Sequence, residues 1–429
     1  MNKIIETFKL GSHYKIERFS VLFLTLVVCL TMVSFNCFSC KVEFDEANAR
    51  TKAMYTTDIA FSRTGNAGTV ENVYTSKNKK RTFVLLHFEE PNNMILDASN
   101  YKIFITASDI NGRDYRLLNT PAGAFYVFGS TGYMGLYLIN SSGFSGDILN
   151  IIIRSGTEIV ANKSDTDKDI SEQTSFDKFD QAKFYFNPSG EGASSLECLD
   201  QETPPTLFDL YEQSVSRTKE TEIRAALDSD LEAMNLDMGA MSEYESRLKR
   251  DGVLVEDPPY LIAGDQLESV YYNTETNAIQ TSTPDDASKC QRVWDYQPVQ
   301  ILAGGFDFDW RTGTVRDGYL SELAGTRDYS KYFVEKGKEF DTIKFSVEKD
   351  WYMSNGMSVD DLRNNTVESE YNRIENDINL LTNAWTSYYE HKKQYQTVDL
   401  KNLLMLEVDL QRVTYDSTMN MSDDLIVCY

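Results

Sequence analysis

The chain has 429 residues, more than one compact core of ordinary size holds, so two or more folded units are expected. Hydrophobic residues make up 41% of it, with 25 Tyr and 23 Phe against 9 Pro, a composition that excludes a disordered chain. The formal net charge of −24 argues against nucleic-acid binding by the body, because such a surface repels phosphate; a basic partner, a divalent cation or simple solubility fits it better.

Residues 1–18 run against that balance, with Lys3, Lys9, Lys15 and Arg18 against Glu6 and Glu17. From Phe19 to Cys40 no charged residue occurs, and a helix of about 20 apolar residues spans the hydrocarbon of a bilayer. Basic residues before this segment, and Glu43, Asp45 and Glu46 after it, put the amino terminus in the cytoplasm and the body outside. The expectation is a cytoplasmic stretch at 1–18, a single transmembrane helix at 19–40 and an extracellular body. Two alternatives also export the body: cleavage as a signal peptide, or lipidation of Cys40 in Cys37-Phe38-Ser39-Cys40. Of the six cysteines, only Cys198, Cys290 and Cys428 lie in the body. That is no disulfide framework, and it leaves one bond, Cys198 to Cys290, open in an oxidising compartment.

Residues 54–195 carry the pattern of an all-β, sandwich-like domain. Arg81–Phe88, Tyr101–Ala107, Gly123–Gly129, Tyr133–Ile139 and Ile148–Arg154 are short, β-branched and aromatic, with turn signals such as Asn111-Gly112, Thr131-Gly132 and Ser142-Gly143 between them. Ala182–Pro188 reads as a last strand after a polar loop. In that loop Asp165, Asp167 and Asp169 alternate as in a calcium loop, but Ile170 stands where the turn needs Gly and Phe176 where a bidentate Glu belongs. No metal is expected.

Glu191 to Pro205 mixes Gly, Ser, acids and a Pro-Pro pair, the composition of an interdomain linker. Residues 206–429 then read as an α-rich (α+β) domain. Ile223, Leu227, Leu231, Met234, Met238, Met241 and Leu248 mark an amphipathic helix whose apolar stripe is core. Phe306–Leu320 alternates and turns at Thr312-Gly313 as a hairpin would, and Asp341–Val347 reads as a strand. Near the end, Val367, Tyr371, Ile374, Ile378, Leu381, Trp385 and Tyr388 repeat at spacings of four and three, a heptad seam that faces another helix. It loses phase at Lys392, and Leu403, Leu406, Leu410 and Val413 begin a second apolar set after a turn expected near Thr397. These spacings predict an antiparallel helical hairpin within the domain. If the seam instead pairs chains as a coiled coil, those seven residues are the partner-binding set.

Chemistry is sparse. His13, His87 and His391 stand far apart, and no G-x-S-x-G, Walker A loop, G-x-G-x-x-G or H-E-x-x-H occurs. Close acids such as Glu89-Glu90, Asp285-Asp286 and Asp307 with Asp309 are expected by chance among 66 acidic residues. No catalytic residue, cofactor or metal ligand is assigned, and the chain is not expected to be an enzyme.

The stretch Phe128-Gly-Ser-Thr-Gly-Tyr-Met-Gly-Leu-Tyr-Leu138, with Phe83–Phe88 and Tyr101–Thr106, resembles the extracytoplasmic β domain of membrane-anchored proteins encoded on conjugative elements of Gram-positive bacteria. The likeness covers the first 200 residues or so and implies an accessory part of a conjugative secretion apparatus, meeting other membrane or surface proteins outside the cell. The sequence thus describes an anchored binding or assembly protein. The alternative is an exported lipoprotein whose aromatic body binds or hydrolyses carbohydrate, and a cleft lined by Trp, Tyr and two carboxylates would favour it.

Overall fold

Short β-branched runs in the first half and long amphipathic runs in the second give an α+β chain. The computed structural model describes residues 23–38, 41, 51–108, 113–117, 119–144, 146–158, 178–281, 283–284, 287–340, 347 and 349–428. It divides into a unit of residues 1–205 with 417–429, and a unit of residues 206–416.

In chain order the first strands are β1 (Asp58–Ala60), β2 (Ala67–Thr75), β3 (Arg81–Phe88), β4 (Tyr101–Ser108) and β5 (Asp114–Tyr115). Then come β6 (Ala122–Val127), β7 (Tyr133–Ile139), β8 (Ile148–Glu158) and β9 (Phe179–Phe186). The second unit contributes β10 (Gln266–Asn273), β11 (Ala278–Gln280) and β12 (Cys290–Gln297), and the last residues β13 (Thr418–Asn420) and β14 (Ile426–Cys428).

The first unit holds two sheets, ordered β1-β2-β3-β7-β6-β13 and β14-β4-β8-β9, with β5 beside β4. Its pairings are antiparallel except for β14 on β4. Val84 and Leu86 of β3 and Leu136 and Leu138 of β7 share one apolar core with Ile103 and Ile105 of β4 and Ile151 and Ile153 of β8. Alternation along each strand sends these residues to one face, and each buried side chain of this size contributes about 1.5–3 kcal/mol.

Two expectations are corrected here. The carboxy-terminal domain does not run 206–429, because residues 417–429 return to the first unit. There β13 pairs with Phe125–Val127, and β14 lies parallel to Ile103–Ile105 with Leu425 buried in the core. Asn420 Nδ2 donates to Tyr101 O at 3.2 Å, and Thr418 Oγ1 accepts from Ala98 N at 2.8 Å. Nor is Glu191 to Pro205 loose chain. Ser194 exchanges main-chain bonds with Val73 and Thr75, Leu196, Cys198 and Leu199 are buried, and Arg81 donates to the carbonyls of Leu199, Gln201, Glu202 and Thr203. No disulfide joins Cys198 and Cys290.

The second unit is built on two long helices. One runs over 207–250, as Leu207–Tyr211, a wide π turn at Glu212–Ser216 and Arg217–Arg250. The other runs over 368–416, as Glu368–Lys393, a π turn at Gln394–Asp399 and Leu400–Asp416. They are antiparallel: Arg373 meets Asp251 at 2.6 Å, Arg247 meets Asp377 at 3.7 Å and His391 meets Asp237 at 2.7 Å, while the end of the second helix lies against the start of the first. The turn expected near Thr397 is therefore absent and the helical hairpin is corrected. The helix continues because its π turn is held from the side: Gln396 Oε1 accepts from Leu302 N at 3.0 Å, Gln396 O accepts from Phe306 N at 2.9 Å, and Thr397 Oγ1 bonds Lys393 O at 2.7 Å.

Beside the helices lies the sheet β11-β10-β12. The hairpin expected over Phe306–Leu320 is not formed. Phe306, Trp310 and Val315 are buried, yet the segment is irregular, with Asp309 accepting from Arg311 N and Thr312 N in a local turn. Its alternation reflects packing against helices and not pairing with a strand.

Residues 23–38 are helical and their apolar side chains, Phe23, Leu24, Leu30 and Phe35 among them, are exposed. Among the described residues no helix is long and apolar enough to cross a membrane. The remainder of the expected span at 19–22 and 39–40, the stretch 1–18, the Asn111-Gly112 turn, Asp165 to Asp169, Asp285-Asp286 and residues 341–346 lie outside the described residues.

The returning tail carries a direct test. Leu425→Ala should destabilise the first unit by about 2–5 kcal/mol, the ordinary cost of emptying a buried leucine site, as read by urea unfolding. A chain ending at Asp416 should lose more, since it also bares the edges of β4 and β6. An unchanged unfolding midpoint in both would show that the tail is not part of the core.

Candidate functional site

The heptad seam is built as a packing surface. Tyr371, Ile374, Ile378, Leu381, Trp385 and Tyr388 are buried, and the helix carrying them packs along the 207–250 helix, whose Leu227, Leu231, Met234, Met241 and Leu248 are buried too. Val367, just before the first turn, is 68% exposed. As a partner-binding set the seven residues are thus corrected. Six are already covered inside the chain, by a helix 120 or more residues away in sequence rather than by the following segment.

At the end of the seam the chain buries a charge. Lys392 is 0% exposed, and its Nζ donates to Asp265 Oδ2 at 2.7 Å and to Leu261 O at 2.6 Å. The same carboxylate oxygen accepts from Tyr388 OH at 3.1 Å and Tyr296 OH at 3.2 Å, and Oδ1 accepts from Val299 N at 2.9 Å. Burial pulls the Lys392 ammonium below its ordinary value, while its hydrogen bond to Asp265 and the charges of Asp265 and Asp307 hold the proton on. Burial likewise raises the Tyr296 and Tyr388 phenols, so both stay neutral donors.

Tyr296 joins this network to a cleft of about 310 Å³. Its wall comes from β12, with Trp294, Asp295 and Tyr296, and from the irregular segment Asp307 to Arg311. The strand and the segment put Trp and Tyr beside three carboxylates. Trp310 Nε1 donates to Tyr395 OH at 2.9 Å, and the Arg311 guanidinium lies 4.3 Å from the Trp310 ring centre while bonding Asp228 at 2.6 Å. Loss of water on the side of the carboxyl that faces the protein pushes Asp307 up although the charge of Lys392 works against it, while the residue keeps an exposed side. Asp309 accepts from Arg311 N, Thr312 N and Thr312 Oγ1, so its oxygens serve its own turn.

A second recess, of about 320 Å³, borders Trp351, Tyr371 and Ile378. Its aromatic face is already taken by Lys349, whose Nζ stands 4.8 Å from the Trp351 ring centre and 4.6 Å from that of Trp385. The remaining polar candidates have structural surroundings. His87 stacks on Tyr133 at 4.3 Å, and His391 Nδ1 lies 2.7 Å from Asp237. Among the described residues no group of three His, Cys, Asp or Glu is placed to hold a metal ion. Sequence reasoning noticed the Asp307 and Asp309 pair but missed Trp294 and Tyr296. Their signal was an aromatic, acid, aromatic alternation on one strand.

Comparison with protein families, with characterised proteins and with solved structures finds no match to this chain.

Two measurements test the electrostatics. Asp265→Asn leaves the Lys392 ammonium buried without its counter-ion and should cost about 3–5 kcal/mol in urea unfolding. A loss below about 1 kcal/mol, within the range of exposed pairs, would show that the site is open to water. Asp230 of the first long helix lies near Asp399 of the π turn, and burial with that neighbour pushes its carboxyl up to about 8. The folded state therefore keeps a proton that the unfolded chain releases near the ordinary carboxylate value of 3.8. Stability should fall as pH rises from that value towards about 8. Asp230→Asn should flatten this slope and unfold later than the parent at pH 8; a slope unchanged or steeper would refute the raised carboxyl.

Proposed function

We propose that this chain is a membrane-anchored extracytoplasmic binding and assembly protein, with residues 1–18 in the cytoplasm and the body outside. The observation that carries the reading is the helix over 23–38, whose exposed side chains carry no charge, between a basic stretch and an acidic one. The sandwich-like β unit serves as the scaffold, and the likeness to proteins of Gram-positive conjugative elements suggests a place beside other membrane or surface proteins of a transfer apparatus. Surface display of an acidic body favours basic partners and disfavours nucleic acid.

A second reading, an exported lipoprotein that binds or hydrolyses carbohydrate, draws support from the cleft of Trp294, Tyr296 and neighbouring carboxylates. Because Asp309 is engaged by its own turn, that cleft supports binding ahead of hydrolysis.

Protease added to intact cells or wall-stripped protoplasts should digest the body and leave residues 1–18 protected. Recovery of the full-length chain as a soluble cytoplasmic protein would overturn the anchored reading. Lipid labelling that disappears in Cys40→Ala would select the lipoprotein.

A further inference from the structure

The cleft at Trp294 is unusual in what it does not offer. Its aromatic residues have their polar ends turned to fixed partners: Trp294 Nε1 donates to Glu232 at 2.5 Å, Tyr296 OH to the buried Asp265, and Tyr395 OH accepts from Trp310. Tyr395 also meets Tyr296 edge-on at 5.5 Å, and Phe308 packs 5.0 Å from Tyr319. What these residues lend the cleft is rigid ring surface. The cation in its wall, Arg311, has a side chain only 9% exposed, with Nη2 given to Asp228 and Trp294 O. With Nη2 of Arg311 committed to Asp228 and Trp294 O, the cleft offers chiefly ring surface and acceptors. Acceptors are present: Asp295 is met by Gln297 at 3.3 Å, and Asp307 stands exposed with no hydrogen bond or ion pair among the described residues.

Rings beside carboxylate acceptors favour a cationic ligand. An anion would meet three carboxylates. An alkylammonium group presents only donors, carries the complementary charge and is attracted to the faces of indole and phenyl rings. We propose that this cleft binds an alkylammonium group, seated against Trp294 and Phe308 and paired with Asp307. A volume of about 310 Å³ suits a ligand the size of a long side chain. The group comes either from a lysine of a basic partner, which the charge of −24 would draw in, or from a free amine. The inference rests on neither reading of how the chain is exported.

The test is calorimetric titration of the full chain with n-butylammonium, with Nα-acetyl-lysine methylamide and with a short lysine-containing peptide. Saturable binding of all three is expected, lost when the lysine amine is acetylated. Asp307→Asn should weaken it at least tenfold and Trp294→Ala comparably, while Glu370→Gln, early in the second long helix, should leave it unchanged. A cooperative melting curve for the Asp307→Asn variant shows that it is folded, so loss of binding there reports the site. Tighter binding of the peptide than of butylammonium identifies a protein lysine as the source, and equal binding identifies a free amine. Binding that survives acetylation or Asp307→Asn, binding weakened equally by Glu370→Gln, or no saturation by any amine overturns the proposal.

Discussion

The ammonium of Lys392 lies wholly out of water, and an ion so placed persists only where its charge and donors are met. Asp265 supplies the charge and Leu261 a carbonyl, while Tyr388, Tyr296 and Val299 fill the remaining acceptor positions of the carboxylate. Those five residues come from the second long helix, from β12 and from the loops on either side of the small sheet. One saturated pair therefore fixes the sheet against the helix, and through Tyr296 it fixes a wall of the cleft. A hydrophobic cluster of the same size would hold these elements together without specifying how Tyr296 is turned.

The same helix shows why its pattern was half legible. The four-three repeat from Tyr371 to Tyr388 states correctly that a helix is present and which face is buried. Its loss of phase at Lys392 suggests an end, because an α-helix cannot carry one stripe across that offset. A π turn can: it takes extra residues into the helix and rotates the turns beyond it, so that Leu403, Leu406, Leu410 and Val413 return to the buried side. Nothing local in Gln394 to Asp399 announces this. The turn is held by Leu302, Phe306 and Trp310, which lie about ninety residues earlier. Partner choice was equally hidden, since an apolar seam fits any helix of complementary shape and the 207–250 helix precedes it by more than a hundred residues.

In the first unit the contrast is between long strands and short ones. Arg81–Phe88 and Tyr133–Ile139 hold enough consecutive β-branched and aromatic residues to be read directly. Thr418–Asn420 and Ile426–Cys428 have three residues each, too few for a period, and β14 owes its place to the free edge of β4 and the buried Leu425. The Glu191 to Pro205 segment failed for the opposite reason. Its composition is that of a loop, which is correct, but composition does not say that Arg81 will tie down four of its carbonyls.

The cleft combines both kinds of information. Trp294-Asp295-Tyr296 is a strand motif, and alternation on β12 would by itself send Trp294 and Tyr296 to the face opposite Asp295. All three reach the cleft because it lies at the border of the sheet, where the irregular segment Asp307 to Arg311 folds across it. That segment is irregular since Asp309 spends its oxygens on the backbone of Arg311 and Thr312, and this in turn places the guanidinium of Arg311 over Trp310. A carboxylate committed to a turn and an arginine committed to a ring leave Asp307 as the acid with unspent capacity. The chemistry of the cleft is thus set less by which charged residues line it than by which of them the fold has already used.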